Sequence, residues 1–453
     1  MSLIQGLLIF FAIIAIYVFS VFALHKKGIL KKYNITLWGP ALMWRTNKGK
    51  KFINKVAQKK RFWKAFGSSG IVLCFIMMIL MTSMLILQAW FVFGFTPEQK
   101  EALPGPEVAL VIPGLNPILP LEFIWYVLLA LVVAMVVHEF SHGILTIASK
   151  LKVKSLGILY LIVPIGAFCE PDEEELTKAN TKSRMRVYAA GPTSNFVVVL
   201  LSIMVFSFVF MSAVQPAEDG VGVFYVIEDA PADEIGLCPG MIITSINNTK
   251  VANVEGFFEV MEKMPSNKPT SISYVKGEQS FTKEITLVDK SNYTNNQSHL
   301  GQGYLGVSTS DAHKGFLSVL KNPFKGFPDG FMLFYILPLW GYLQGYNPIV
   351  APFTDSYIIT GPLSIIPTNV FWVIVNALYW IFWLNLAVAL FNVLPMVPLD
   401  GGFLFNDAIH SLVKRVKKGS SDAQRERIVK NISIILSLTV LLLIIFPWLI
   451  KYI

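Results

Sequence analysis

Charge is scarce in this chain of 453 residues: 15% is Asp, Glu, Lys or Arg, against 54% hydrophobic. Soluble domains carry about 25% charged residues, so a freely soluble protein is excluded. Cysteine is scarcer. Cys74, Cys169 and Cys238 lie far apart and make neither a Cys-x-x-Cys metal site nor a disulfide framework. Internal repeats and low-complexity tracts are absent. Acidic residues are missing altogether between 25 and 64, where Lys26, Lys27, Lys31, Lys32, Arg45, Lys48, Lys50, Lys51, Lys55, Lys59, Lys60, Arg61 and Lys64 stand. Such a run can bind nucleic acid, but this one sits between two apolar runs. The positive-inside rule makes it a cytoplasmic loop, and no nucleic-acid partner is expected.

What is present in abundance is apolar sequence long enough to cross a bilayer. The spans fall near 3–24, 69–95, 123–147, 187–213, 370–393 and 431–450. A further stretch, 326–345, is interrupted by Pro328, Gly330, Pro338 and Gly341, and reads as re-entrant or interfacial. The opening Met-Ser-Leu-Ile-Gln has no basic residue and no small-x-small cleavage site follows, so the first span is expected to be an uncleaved anchor. Basic loops recur at Lys150–Arg186 and at Lys414–Lys430, Lys418 included. All three agree on one topology if 326–345 does not cross: the first span runs outside to inside, and so does the 123–147 span. The fold class predicted is a polytopic α-helical membrane protein with about six transmembrane helices in the lipid bilayer, plus one extramembrane β/α domain.

That domain occupies 216–310. Strand-like runs appear at Val221–Ile227, Ile242–Ile246, Ser271–Val275 and Phe281–Leu287, with a helix expected over Val254–Met264. Between them stands Pro231-Ala232-Asp233-Glu234-Ile235-Gly236-Leu237-Cys238-Pro239-Gly240-Met241-Ile242-Ile243-Thr244-Ser245-Ile246-Asn247-Asn248. This resembles a PDZ domain, with Met241 in place of the usual Asp and Asn248 in place of the usual Gly. Asn also tolerates a left-handed turn. The resemblance implies capture of a peptide C-terminus by strand addition. The other reading is a β-domain that packs against its own membrane part and binds nothing. On the topology above, the module lies outside.

Within the 123–147 span stands His138-Glu139-Phe140-Ser141-His142. Two histidines four apart share one helix face. Ionisable groups inside a membrane are costly and usually functional. This pattern suits zinc, with the carboxylate handling the proton of an attacking water. A second unusual site follows the 370–393 span: Asn392-Val393-Leu394-Pro395-Met396-Val397-Pro398-Leu399-Asp400-Gly401-Gly402. Pro395 and Pro398 must break helical bonding, and irregular backbone at membrane depth has to be buried in protein or line water. Asp400 is then either a third metal ligand or a capping aspartate at a plain helix end. His25, His299, His313 and His410 read as surface or interfacial histidines, so no second ligand set supports a metal transporter.

The two motifs together resemble the site-2 protease family of intramembrane zinc metalloproteases (peptidase family M50), which pairs His-Glu-x-x-His with Asn-x-x-Pro-x-x-x-x-Asp-Gly. Gly191-Pro192-Thr193-Ser194-Asn195 looks like the family's Gly-x-x-x-Asn element and is expected to open the intervening helix. The resemblance spans about 120–410 and implies Zn2+ held by His138, His142 and Asp400, with Glu139 as general base. Asn392, Asn195 and Pro395 are implied on the substrate side. The apolar Val153–Phe168, with Gly157, Pro164 and Gly166, looks like a membrane-embedded β-element that could pair with an unwound substrate; alternatively it is a plain hairpin. The implied substrates are single-pass transmembrane proteins. The rival is a catalytically silent membrane scaffold binding peptides through its PDZ-like domain; such a scaffold would not need Glu139. The expected organisation is 1–120 N-terminal helices and basic loop, 121–215 protease core, 216–310 PDZ-like domain, 311–369 interfacial or re-entrant gate, 370–410 core helix, and 411–453 basic loop and last helix. The expected location is the cell membrane, with the metal toward the cytoplasmic leaflet.

Overall fold

The computed structural model describes residues 3–452 apart from 40, 110, 111, 113, 162, 295, 418 and 420. The side chains of 3–14, 38, 109, 161, 163–165 and 452 also lie outside the described residues, so the readings on the start of the first span, Pro164 and Lys418 are not followed further. The elements that matter run in chain order: α1 (Leu3–Lys26), β1 (Ile35–Trp38), β2 (Ala41–Thr46), α2 (Lys60–Phe93), α3 (Ile124–Ala148), β3 (Val153–Leu161), β4 (Val163–Pro171), α4 (Thr181–Met204), β5 (Val221–Val226), β6 (Ile242–Ile246), α5 (Val254–Met261), β7 (Pro269–Lys276), β8 (Gln279–Thr286), β9 (Val307–Ser310), α6 (Ala312–Lys321), α7 (Asp329–Tyr335), α8 (Leu337–Gln344), α9 (Thr368–Asn392), α10 (Asp400–Val416) and α11 (Asp422–Leu449).

Among the described residues, five helical stretches are long and apolar enough to cross a membrane: Lys60–Phe93, Leu121–Ala148, Thr181–Ala213, Thr368–Asn392 and Asp422–Leu449. The sixth expected span is helical as α1, but its described apolar part is only Ala15–Lys26. The segment 326–345 is broken into α7 and α8, neither of them long enough to span a bilayer as a helix.

One compact unit comprises Met1–Pro106, Leu128–Val199 and Leu384–Ile453. Its helices approach through small residues. A Cβ on Gly67 would lie 2.8 Å from Leu145 and 3.0 Å from Arg186, and one on Gly70 would overlap Thr193. Close packing of this kind is how helices associate where burial from water gives no drive. The same unit holds an antiparallel sheet in the order β1-β2-β3-β4, with Leu42 opposite Tyr160 and Trp44 opposite Ile158. The expected apolar β-element is therefore a hairpin, β3–β4, but it is only half of the sheet. The other half lies within the basic run that the sequence presents as a loop. Charge at the flanks masked the short alternating strands Ile35–Trp38 and Ala41–Thr46 there.

The α4 helix starts ten residues before Gly191, with the Asn180 side chain accepting the N–H of Ser183 at its start. Gly191-Pro192 thus sits inside a helix and does not open one. Charged residues in its first turns, Lys182, Arg184 and Arg186, had hidden that extension from a hydropathy reading. The expected core helix 370–410 is likewise two helices: α9 ends at Asn392, a turn occupies 393–399, and α10 runs on to Val416.

The second unit comprises Glu107–Val127 and Leu200–Trp383. Its β-module has the strand path β8-β7-β6-β5-β9, with Thr249–Lys250 beside β6. Val221, Val223, Ile243, Ile246, Ile272, Leu287 and Leu305 are buried in its core. Gly236 and Gly240 are left-handed, at φ 77 and φ 89, and so are Asn247 and Asn248, at φ 45 and φ 63. The asparagine at the usual glycine position thus adopts the conformation that glycine would supply. The 311–369 segment packs on the module and on α9. Ser356 donates to the Gly240 carbonyl at 2.8 Å, Lys276 pairs with Asp355 at 3.5 Å, and the Phe334 ring meets Phe206 and Tyr379 edge-on and Phe382 at a tilt. His313 is a correction to the sequence reading: it is buried, because α6 is amphipathic and turns His313 inward with Phe316, Leu317 and Leu320.

Candidate metal centre

The site is assembled from α3, α4, β4 and the start of α10. On α3 the four-residue spacing brings the two rings edge to face, with centroids 4.8 Å apart. His142 Nδ1 lies 2.7 Å from the Val187 carbonyl, which can only accept, so Nδ1 carries the proton and Nε2 offers its lone pair. Asp400 Oδ2 lies 3.0 Å from His138 Nε2 and 3.2 Å from His142 Nε2. A carboxylate oxygen and an imidazole lone pair repel unless a cation stands between them. Two imidazole nitrogens and one carboxylate oxygen, largely buried, form a donor set that suits zinc. The ligand atoms of His138, Glu139 and His142 also fall within 4.8 Å of one another.

Glu139 is held differently from Asp400. Its Oε2 accepts the Cys169 N–H at 2.7 Å, so the carboxylate is tethered to strand β4. That bond aligns one oxygen and leaves the other available for a proton. Among the described residues β4 pairs with β3 and with no other strand, and its Cys169 N–H is directed at Glu139.

Gly191 is the functional residue whose role the motif did not reveal. A Cβ there would come within 2.5 Å of Nε2 of both His138 and His142. Only glycine lets α4 pass beneath the two rings, and the same helix supplies the Val187 carbonyl. Asn195, one turn on, is fully buried, and neither atom of its amide has a hydrogen-bond partner among the described residues. A buried amide without a partner costs about 1–3 kcal/mol. Asn392 is placed otherwise: its amide nitrogen donates to the Val388 carbonyl of its own helix at 3.0 Å. Pro395 is buried in the 393–399 turn.

Asp400 is the first residue of α10, not a loop residue. The two glycines after it are helical. A Cβ on Gly402 would meet Met396 and Val397 backbone at 2.6 Å, and one on Gly401 would collide with Val393 and Leu394. Their role is close passage of backbone. The turn is also fixed from outside, since the Val397 N–H donates to Ser437 Oγ of α11 at 3.1 Å.

Comparison with known proteins bears on this arrangement. The model of peptidase family M50 matches residues 126–440. An uncharacterized protein of Methanocaldococcus jannaschii is 28% identical over 374 residues, covering 82% of this chain and 78% of its own length. A Clostridium perfringens protein named "Putative zinc metalloprotease" is 24% identical over 320 residues, covering 65% of this chain and 89% of its own. Among solved structures, the PDZ domain of an SdrC-like protein from Listeria monocytogenes matches at 23% identity, over 21% of this chain and 92% of that one, with a TM-score of 0.18. The second domain of a Listeria protein matches at 26% identity over 21% and 86%, again with a TM-score of 0.18. Scores that low support no conclusion, and the PDZ-like character of the module rests on its own motif and strands.

Proposed function

The chain belongs to peptidase family M50, and on that premise we propose that it is a zinc-dependent endopeptidase that cleaves transmembrane segments of single-pass membrane proteins within the bilayer. The observation that carries this is the convergence of His138, His142 and Asp400 on α3 and α10, with Glu139 tethered beside them. Zinc held by these three would supply Lewis acidity, polarising the scissile carbonyl and lowering the pKa of the attacking water. Glu139 takes the proton of that water and returns it to the departing amide nitrogen as the C–N bond breaks. The Cys169 N–H keeps its carboxylate oriented for both transfers.

A transmembrane helix has its carbonyls bonded internally and must unwind locally to be cut. The free edge of β4, next to Glu139, would receive the unwound stretch as an added strand. The buried amide of Asn195 is a candidate donor toward the substrate, whereas Asn392 would first have to release the Val388 carbonyl. In the module, a shallow groove lined by Phe257, Phe258, Met261, Tyr304, Gly306 and Val307 lies beside β9 and is the candidate place for a peptide C-terminus. The basic loops support placing the metal toward the cytoplasmic leaflet and the module outside.

The test is incubation of the purified protein with a panel of single-pass substrates, with and without a zinc chelator. Glu139→Gln serves as the control. Cleavage should stop with chelator, return on adding zinc, and fall by about 10³-fold or more in Glu139→Gln. A zinc-loaded protein that cuts nothing would favour the peptide-binding scaffold; cutting that survives both chelator and Glu139→Gln would remove the site from the chemistry.

A further inference from the structure

Asp400 has an unusual problem for a ligand. It stands at the first position of α10, a helix joined to the end of α9 only through the Pro-rich turn 393–399. Its position relative to the histidines on α3 therefore depends on what α10 docks against. α10 packs on α11 and α2, and from α4 the side chains of Arg184 and Tyr188 reach its Asp407 and Phe403, while Gly191, one turn on, lies against the two imidazoles that Asp400 meets. The three residues on α4 and the three on α10 each follow the three- and four-residue spacing of one helix face, in opposite order along the chain.

Arg184 Nη2 donates to Asp407 Oδ1 at 2.6 Å, and Nε donates to Oδ2 at 3.0 Å. The remaining Nη1 donates to the carbonyls of Thr177 and Ala179 at 3.1 and 2.9 Å, tying the pair to the turn before α4. One rung nearer the site, the rings of Tyr188 and Phe403 stack at 5.3 Å with an interplanar angle of 24°. The top rung is Gly191, whose missing Cβ makes room for the two imidazoles that Asp400 meets.

We infer that Arg184 and Asp407, with Tyr188 and Phe403 between them and the site, are positioning residues that set the register of α10 on α4 and so hold Asp400 on the metal. This rests on the metalloprotease reading above. A largely buried ion pair is weak evidence for stability, since apolar residues usually do as well; its best attested use is to specify register. The planar fork of Arg184, engaged on both edges, fixes rotation as well as translation. Register matters on the scale of the site. A slip of one residue moves a helix by about 1.5 Å, whereas metal ligands tolerate about 0.2 Å.

The experiment measures zinc affinity of the purified full-length protein by chelator competition, with the melting temperature of the metal-free form read alongside. The variants are Asp407→Asn, Arg184→Gln, the exchange Arg184→Asp with Asp407→Arg, and His138→Ala as the control without a site. The single variants should bind zinc about 10- to 100-fold more weakly, as expected for groups that orient ligands. The exchange should recover most of that loss. Wild-type affinity in a folded Asp407→Asn or Arg184→Gln protein overturns the inference, whatever happens to melting. If neither folds, Phe403→Leu keeps the helix and most of the volume but removes the stack. It should weaken zinc binding severalfold at an unchanged metal-free melting temperature, and unchanged affinity overturns the inference there. A wild-type protein that takes up no more zinc than His138→Ala would instead defeat the underlying metalloprotease reading.

Discussion

The helical unit and the β-module both carry structured polar groups, but they use them differently. In the module, several polar side chains close on local partners. Asp289 accepts from Ser266, Ser291 and Gly301, Asn247 accepts the Ser271 N–H at 2.8 Å, and the Tyr274 hydroxyl donates to the Ile235 carbonyl at 2.7 Å. These bonds lock turns and strand ends around an apolar core. In the helical unit, two imidazoles and a carboxylate face one another, and the amide of Asn195 has no hydrogen-bond partner among the described residues. Satisfied polar groups hold a fold, while converging unsatisfied ones wait for a ligand. The first arrangement explains why the module reads clearly as a fold and poorly as a function, and the second explains the reverse for the helices.

The hardest test of that contrast is removal of a converging group. His138→Ala and Asp400→Ala should each fall from about one zinc per chain to almost none in metal analysis. Equal zinc in wild type and both variants would erase the distinction between the two regions.

Glycine substitutions sharpen it. Gly191→Ala puts a methyl 2.5 Å from both Nε2 atoms and should weaken zinc binding at least tenfold. Gly236→Ala, left-handed but with open space around its Cβ, should destabilise the module by about 1 kcal/mol and leave zinc affinity alone. A Gly191→Ala protein with normal affinity would mean that α4 does not constrain the rings.

Deleting 217–290 addresses the module's side of the comparison. Cleavage of a short transmembrane peptide should persist within a fewfold, while preference among substrates with bulky outer domains changes. Folded, zinc-loaded protein that cleaves nothing would make the module part of the catalytic assembly.

The last effect concerns His313, a buried side chain packed beside the module. Burial, with Lys314 next to it opposed by Asp311, pushes its pKa down from 6.5 to about 4. The unfolded chain therefore takes up a proton first. The stability that the neutral ring contributes is present above pH 6.5 and is lost as pH falls toward 4, by at most about 3 kcal/mol. Hydrogen exchange of β5 and β9 should speed up over that window in wild type and stay flatter in His313→Gln. Identical profiles would place the titration elsewhere.

Much of this was legible in the residues. The strands Ile242–Ile246 and Val221–Val226, the module helix from Val254 and the helical placement of His138, Glu139 and His142 all stand where sequence patterning puts them. Alternation and four-residue spacing are local properties, and local properties survive folding. The misreadings share a cause too. Strands β1 and β2 were hidden by flanking lysines, the first turns of α4 by their charges, and His313 by its residue type, because in each case tertiary packing overrode composition.

By itself the sequence determined that the chain enters a membrane, that His138 and His142 share a face, and that Asp400 follows a break no helix could cross. Hydropathy, helical period and proline chemistry act within one segment and need no fold. Only the tertiary structure decided that Asp400 reaches both rings, that Gly191 leaves room for them, that Cys169 holds Glu139, and that Arg184 meets Asp407. Those are contacts between residues tens to hundreds of positions apart. Their distances depend on how the helices pack, and no spacing along the chain encodes that.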